Sequence, residues 1–412
     1  MAIAQKYDEN RRGGFSLYGI LSVAFVLVLS LLACRSIAID TLDLTATGLD
    51  LAGFGVCHAI GAVLILRATL SRKLMADALI LSLVLISYIS IIVLTTSSHI
   101  SILSFLGPRY GILNWLLLGM GAAAAASYIH LPSGSRHARL QRRLFVFVCL
   151  LVGALLSFLS LQYLSYPTFT LSYQSASDNL IFILLLFMIF TQVIWGSKVP
   201  IPVVLSFLAV GTLAVTAVAR MQSTAIVGFW AVGLVVYFWS ALSKLDFRYK
   251  VLAFATLAGA STTYLSSDLF TQTVESTRFA TILTGGGLSS IDSRLDLLSD
   301  FGRQFAVSPI FGHFSAEIEA GSGLGRYPHT LLSFLTHTGL LGTTLVVILL
   351  IVIYSRRLPL RRLSSPDAQQ FLFMSAILVL GTAYTFMTWA VFWFMLGFMC
   401  KRPTLRSPGE AR

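Results

Sequence analysis

Residues 290–342 read SIDSRLDLLSDFGRQFAVSPIFGHFSAEIEAGSGLGRYPHTLLSFLTHTGLLG. Most of the remaining chain is apolar enough to be membrane. This stretch opens as the one long polar interruption and closes by running into a hydrophobic helix. It carries arginines, carboxylates and a histidine at a helix start. A reaction centre, if the chain has one, is expected here.

Working outward, the chain has 412 residues, of which 56% are hydrophobic and 11% charged. Soluble domains carry about 25% charged residues. The mean hydropathy is +0.83. These values describe a polytopic membrane protein whose size comes from many spans rather than one globular core. The formal charge of +12 raises the question of nucleic acid, but the distribution of basic residues answers it differently. Cys34, Cys57, Cys149 and Cys400 lie in or at the ends of apolar segments without CxxC spacing. Packed thiols are expected, not a disulfide framework or a metal site. Lys6, Arg11 and Arg12 precede an apolar run over 15–33. That run exceeds the roughly 7–15 residues of a signal-peptide core, so it reads as the first span.

A span needs about 20 apolar residues. Spans are predicted near 15–34, 46–66, 74–95, 110–130, 144–163, 178–196, 200–219, 222–242, 250–266 and 330–354. The last apolar block, 369–400, is too long for one helix: at 1.5 Å per residue it would reach about 48 Å. Two short spans meeting near Tyr384 and Thr385 fit better. The expected fold is an all-α bundle of about twelve transmembrane helices. Residues 1–266 hold spans one to nine. Residues 267–329 form a long outer loop, and 330–412 hold the last three spans and a tail.

With the N-terminus in the cytoplasm, most of the 29 lysines and arginines fall on the inner side, as the positive-inside rule requires. The basic segments SGSRHARLQRR at 133–143 and RRLPLRRLSSPD at 356–367 are explained by topology and headgroup contact. The exceptions on the outer side are Arg35, Arg109, Arg220, Arg278, Arg294, Arg303 and Arg326, all arginine and none lysine. Arginine anchors well at interfaces; it also grips phosphate with a planar fork and keeps its charge.

Within the outer loop, Ser293 and Asp296 form a capping-box pattern. Leu295, Leu298, Phe301 and Phe305 then recur at helical spacing, and Pro309 stops the run. This predicts a short amphipathic helix that lies on the outer membrane surface or caps the bundle, with Arg294 in its first turn and Arg303 solvated or facing headgroups. TGGGLSS at 284–290 reads as a hinge. Pro328 suits the first position of the tenth span, which puts His329 in the first turn. The positive helix end keeps that imidazole neutral, as a general base requires. An interfacial histidine without a role is the plainer alternative. His337, deeper along the same helix, is expected to be packed or helix-bonded. Arg220 sits between two apolar spans, where an unpaired charge is costly; it is either a snorkelling arginine or half of an anion clamp. Asp292, Asp296, Glu317 and Glu319 are read mainly as solvated carboxylates. Tyr166, Tyr173, Phe311 and Tyr327 are read mainly as packing aromatics. No internal repeat, nucleotide fingerprint or HExxH is present.

Three pieces of this pattern together resemble the bacterial O-antigen polymerase and O-antigen ligase superfamily. One is the arginine before a glycine-containing apolar span, ARMQSTAIVG from Ala219. Another is the arginine that opens an amphipathic segment ending in Pro-hydrophobic-hydrophobic-Gly, SRLDLLSDFGRQFAVSPIFG at 293–312. The third is the histidine followed by leucines and Gly-x-x-Gly, PHTLLSFLTHTGLLG at 328–342. The likeness covers residues 200–342. Two positions depart from it: Ala219, where the family often has Ser, and Thr330, where it often has Asn.

The resemblance implies a GT-C-type integral-membrane glycosyltransferase of the bacterial inner membrane, with both termini cytoplasmic and the site periplasmic. Its donor would be a glycan on undecaprenyl pyrophosphate, with neither metal nor cofactor required. Arg220 and Arg294 would hold the pyrophosphate and His329 would deprotonate the acceptor. Arg326, Asp292 and Tyr327 would support them. The acceptor is a lipid-linked repeat unit in a polymerase and lipid A-core in a ligase, and a chain-length regulator is a further implied partner. The missing asparagine at Thr330 and the modest outer loop favour a polymerase of O-antigen or exopolysaccharide. A flippase of lipid-linked sugars is the alternative of a different class, but it would place ionisable residues at mid-membrane and show repeated halves.

Overall fold

The computed structural model describes residues 17–42, 48–96, 112–129, 296–322, 332–357 and 390–402. Among the described residues the chain is helical and forms no strand; Leu74 and Lys401 make one isolated antiparallel bridge. The long helices are α1 (Leu17–Leu42), α2 (Gly48–Leu70), α3 (Ala76–Thr96), α4 (Ile112–Tyr128) and, later in the chain, α7 (Leu332–Arg357). Between α4 and α7 lie the short α5 (Phe301–Val307) and α6 (Ala316–Glu319), and α8 (Ala390–Met399) closes the set. The five long helices fall on the spans expected at 15–34, 46–66, 74–95, 110–130 and 330–354. Expected spans 144–163, 178–196, 200–219, 222–242 and 250–266 lie outside the described residues, as does the first half of the block 369–400.

Three segments are long and apolar enough to cross a membrane: Ala52–Leu70, Ala76–Thr96 and Leu332–Arg357. Their outward faces carry exposed Val56, Val63, Leu66, Ile80, Leu83, Ile91, Leu94, Val347 and Ile351. An apolar surface of this extent marks contact with lipid. The protein is a helical membrane protein.

Inside the bundle, small residues let helices approach closely. In α4, Gly119 abuts the backbone of Phe394 in α8, and Gly397 of α8 abuts Leu116 of α4; a Cβ on either glycine would overlap main-chain atoms. Ala122, Ala123, Ala124 and Ala125 continue the buried face of α4. The ring of Phe25 lies against Gly61 and Gly121, where an added Cβ would stand 3.2 and 2.8 Å away. Lipid tails are as apolar as leucine, so helix association in a bilayer rests on this close backbone packing. The buried thiols Cys57 and Cys400 match the packed cysteines expected.

Basic residues gather at one end of the bundle. Arg67 lies over the ring of Tyr18, with Cζ 5.2 Å from its centroid. Lys73 Nζ stands 3.7 Å over Tyr128. Arg356 pairs with Asp77 at 2.9 Å, and Arg357 donates to the Lys401 carbonyl at 2.6 Å. The Arg402 N–H donates to the carbonyl of Lys73. The start of α1, the end of α2, the start of α3 and the ends of α4, α7 and α8 therefore share one side. Sequence charge alone had grouped Arg67, Arg72, Lys73, Arg356, Arg357, Lys401 and Arg402; packing puts Arg67, Lys73, Arg356, Arg357, Lys401 and Arg402 together.

Candidate functional site

The far end of the bundle is built around a break in α7. Gly339 has φ 63° and ψ −173° inside an otherwise helical run. That backbone region is essentially open to glycine alone. The predicted span was continuous over 330–354. Instead Gly339 kinks the run between 332–338 and 340–357. Hydropathy counts side chains and carries no signal of a backbone kink.

A break at membrane depth leaves N–H and C=O groups without helical partners, and these must find others. They find the Pro-Ile-Phe-Gly turn. The N–H groups of Leu340 and Leu341 donate to the carbonyls of Pro309 and Ile310 at 2.9 and 3.0 Å. In return the His313 N–H donates to the Thr336 carbonyl at 3.1 Å. Tyr88 of α3 shares its hydroxyl between the carbonyls of Phe311, at 2.7 Å, and Thr338, at 3.0 Å. Gly312 (φ 79°) meets Gly339 face to face, so a Cβ on either would enter the other's backbone. At Gly342 an added Cβ would lie 2.5 Å from Thr338 Cβ and 2.7 Å from Tyr88 Cε1. Gly312, Gly339 and Gly342 of the second and third sequence motifs thus each have a steric reason. Removing the shared hydroxyl in Tyr88→Phe should cost about 1–3 kcal/mol, because two carbonyls lose a donor. Thermal unfolding in detergent measures it; an unchanged midpoint would remove the hydroxyl from the lock.

Before the turn, the expected helix is present over its described part. One helical turn covers 296–299, Asp300 interrupts, and α5 runs to Val307. Asp300 pairs with Arg303, leaving Arg303 solvent-facing as expected. Pro309 follows the helix end as predicted. Phe301 and Phe305 stack at 5.6 Å, yet the fully buried residue of α5 is Gln304, while Leu298 and Val307 stay exposed. The apolar stripe therefore does not face the bundle interior throughout. Ser293 and Leu295 lie outside the described residues.

After the turn, the chain is tied to α3 and α7. Phe314 N–H donates to Thr96 Oγ1 at 3.1 Å, and Ser315 Oγ donates to the Thr96 carbonyl at 3.3 Å. His337 is buried, as expected, with Nδ1 2.8 Å from the Ser333 carbonyl. A carbonyl only accepts, so Nδ1 carries hydrogen. Nε2 then faces Glu317 Oε2 across 3.8 Å, with the Phe314 ring edge-on at 5.5 Å. Glu317 is only 4% exposed. Its expected place among solvated carboxylates is overturned: α6 folds it inward against His337, a tertiary contact with no local signature. Asp296 and Glu319 are exposed as expected. Phe311, read as a packing aromatic, is 60% exposed, because the turn's backbone rather than its side chains makes the contacts.

The six residues assigned to the site from sequence, Arg220, Arg294, Arg326, Asp292, Tyr327 and His329, lie outside the described residues, as do Tyr166, Tyr173 and the hinge at 284–290. What the structure brings together is the chain on either side of them: 296–322 follows Arg294, and 332–338 follows His329. Both are fastened to the end of the bundle opposite the basic cluster. Sequence reasoning missed Tyr88 and Thr96, which lie in a separate apolar span. Among the described residues no three His, Cys, Asp or Glu side chains converge as a metal site would need. No protein-family model, curated protein or solved structure matches this chain.

Proposed function

We propose that the protein is a membrane glycosyltransferase that polymerises glycan repeat units carried on undecaprenyl pyrophosphate. The carrying observation is the interlock of Pro309, Ile310 and Gly312 with Gly339. Two motifs that resemble the O-antigen polymerase and ligase superfamily only as separate strings are one physical unit. The lock tethers the segments leading from Arg294 and from His329 to a common end of the bundle.

In this reading the acceptor hydroxyl attacks the anomeric carbon of the donor. The new C–O bond forms as the bond from that carbon to the pyrophosphate oxygen breaks, with inversion. His329 takes the hydroxyl proton. Arg220 and Arg294 offset the negative charge that grows on the leaving pyrophosphate, and Arg326, Asp292 and Tyr327 support them. The protein sits in the bacterial inner membrane with the basic end cytoplasmic and the lock periplasmic, in a GT-C-type bundle of about twelve spans. No metal enters this scheme.

The runner-up is the ligase, which uses the same donor and delivers the glycan to lipid A-core. The glycan profile of a deletion strain separates them. A single repeat unit left on the core or on lipid carrier means polymerase. Full-length polymer stranded on undecaprenyl pyrophosphate means ligase. Unchanged surface and lipid-linked glycans would reject both.

A further inference from the structure

The turn at 308–312 belongs, by sequence, to a polar outer loop. Its depth says otherwise. Arg356 and Asp77 pair at the basic end and fix a common zero height on α7 and α3. Leu340 and Leu341, which bond Pro309 and Ile310, lie 15 or 16 residues from Arg356, or about 24 Å along the helix. Tyr88, which bonds the Phe311 carbonyl, lies eleven residues from Asp77, about 17 Å up α3. Thr96, which holds Phe314, is about 29 Å up. The hydrocarbon layer is about 30 Å thick, and any helix tilt lowers all these heights. The chain thus lies near the boundary at 314–315 and well inside the layer at 309–311.

Side chains and backbone agree with that depth. Ile310 is 58% and Phe311 60% exposed. They adjoin exposed Leu340 and Leu341 on α7, and the same helix continues down with exposed Val347, Ile348 and Ile351. The exposed face of the turn is therefore continuous with the lipid-facing surface of the span. The carbonyls of residues 308–311 have partners within the protein. The carbonyls of Pro309, Ile310 and Phe311 accept from Leu340, Leu341 and Tyr88, and Gly312 N–H donates to the Ser308 carbonyl at 2.8 Å. At membrane depth, irregular backbone must pack against protein that re-satisfies its polar groups; here α3 and α7 do so for these carbonyls, and the exposed part is the side chains of Ile310 and Phe311.

We infer that the turn at 308–312 is re-entrant, with Ile310 and Phe311 immersed among lipid acyl chains in the leaflet opposite the basic end. The inference stands on the membrane fold alone and is independent of the proposed reaction. It is tested with Phe311→Cys and, separately, Ser299→Cys, each labelled with an environment-sensitive fluorophore in phosphatidylcholine vesicles; labelling of the parent protein sets the background from its four cysteines. Both positions are exposed, so neither substitution empties a packed site. The probe at 311 should be quenched severalfold more by acyl-chain nitroxide than by aqueous iodide, and the probe at 299 the reverse. Iodide quenching at 311 stronger than acyl-chain quenching there would place the turn in water and overturn the inference. Protection of 311 from both quenchers would do so equally, since protein rather than lipid would then cover it. Ile310→Cys repeats the measurement if the first variant inserts poorly.

Discussion

Replacing Gly339 by alanine should unfold the half of the molecule opposite the basic end or prevent its assembly. Two costs combine. The backbone at φ 63°, ψ −173° is closed to residues with a Cβ, at about 1–3 kcal/mol. The added methyl also enters the Gly312 amide and the Ile310 carbonyl, and overpacking of this kind costs about 1–3 kcal/mol more. Together, about 2–6 kcal/mol is a large share of the ~5–15 kcal/mol that holds a typical domain. Gly312→Ala should behave alike, for the same contact seen from the other side. Because the two glycines share one interface, the double variant should cost less than the sum of the singles. Gly302→Ala is the control: it lies on α5 with no atom within 4 Å of an added Cβ, and alanine is the better helix former. Thermal unfolding of detergent-purified protein reads all four. If Gly339→Ala melts with Gly302→Ala, the break in α7 is not the structural joint described above.

The contrast between what the residues announced and what they concealed follows the range of the forces involved. Spans such as Ala76–Thr96 were legible because transfer into lipid depends on composition over about 20 residues, a local sum. His337 was legible as a helix-bonded histidine because its partner, the Ser333 carbonyl, is one turn away. Pro309 was legible as a stop because it lacks an N–H and cannot extend a helix. The break at Gly339 was not, since 330–354 taken as a whole is apolar enough to read as one span and a glycine is tolerated in such a helix. The hint was chemical: His337, Thr338 and Gly339 are three weak helix formers in a row, followed by Gly342. Glu317 was misread for a related reason. AEIEAGSG is polar by composition, and only the approach of α7 makes one of its two glutamates an interior residue. Tyr88 was invisible because its partners lie more than two hundred residues downstream.

The sharpest loss of activity without loss of fold should come from His329→Ala. A positioned general base contributes about 10²–10⁴ in rate, so the variant should be inserted, stable and effectively silent, with lipid-linked donor accumulating behind it. Arg220→Lys and Arg294→Lys should also be crippled, because lysine keeps the charge but loses the planar fork that matches a pyrophosphate. Losing one such charge-stabilising group costs about 10²–10³ in rate. The pattern across variants separates chemistry from architecture. Gly339→Ala and Tyr88→Phe act through the lock and should lower the unfolding midpoint in proportion to any lost polymer. His329→Ala and the two arginine variants should leave that midpoint within about 0.5 kcal/mol of the parent, as surface changes do. Polymer of normal length from His329→Ala, or normal activity from both lysine variants, would take the reaction away from these residues. The Gly312–Gly339 joint would then remain a structural feature of a membrane protein with some other task.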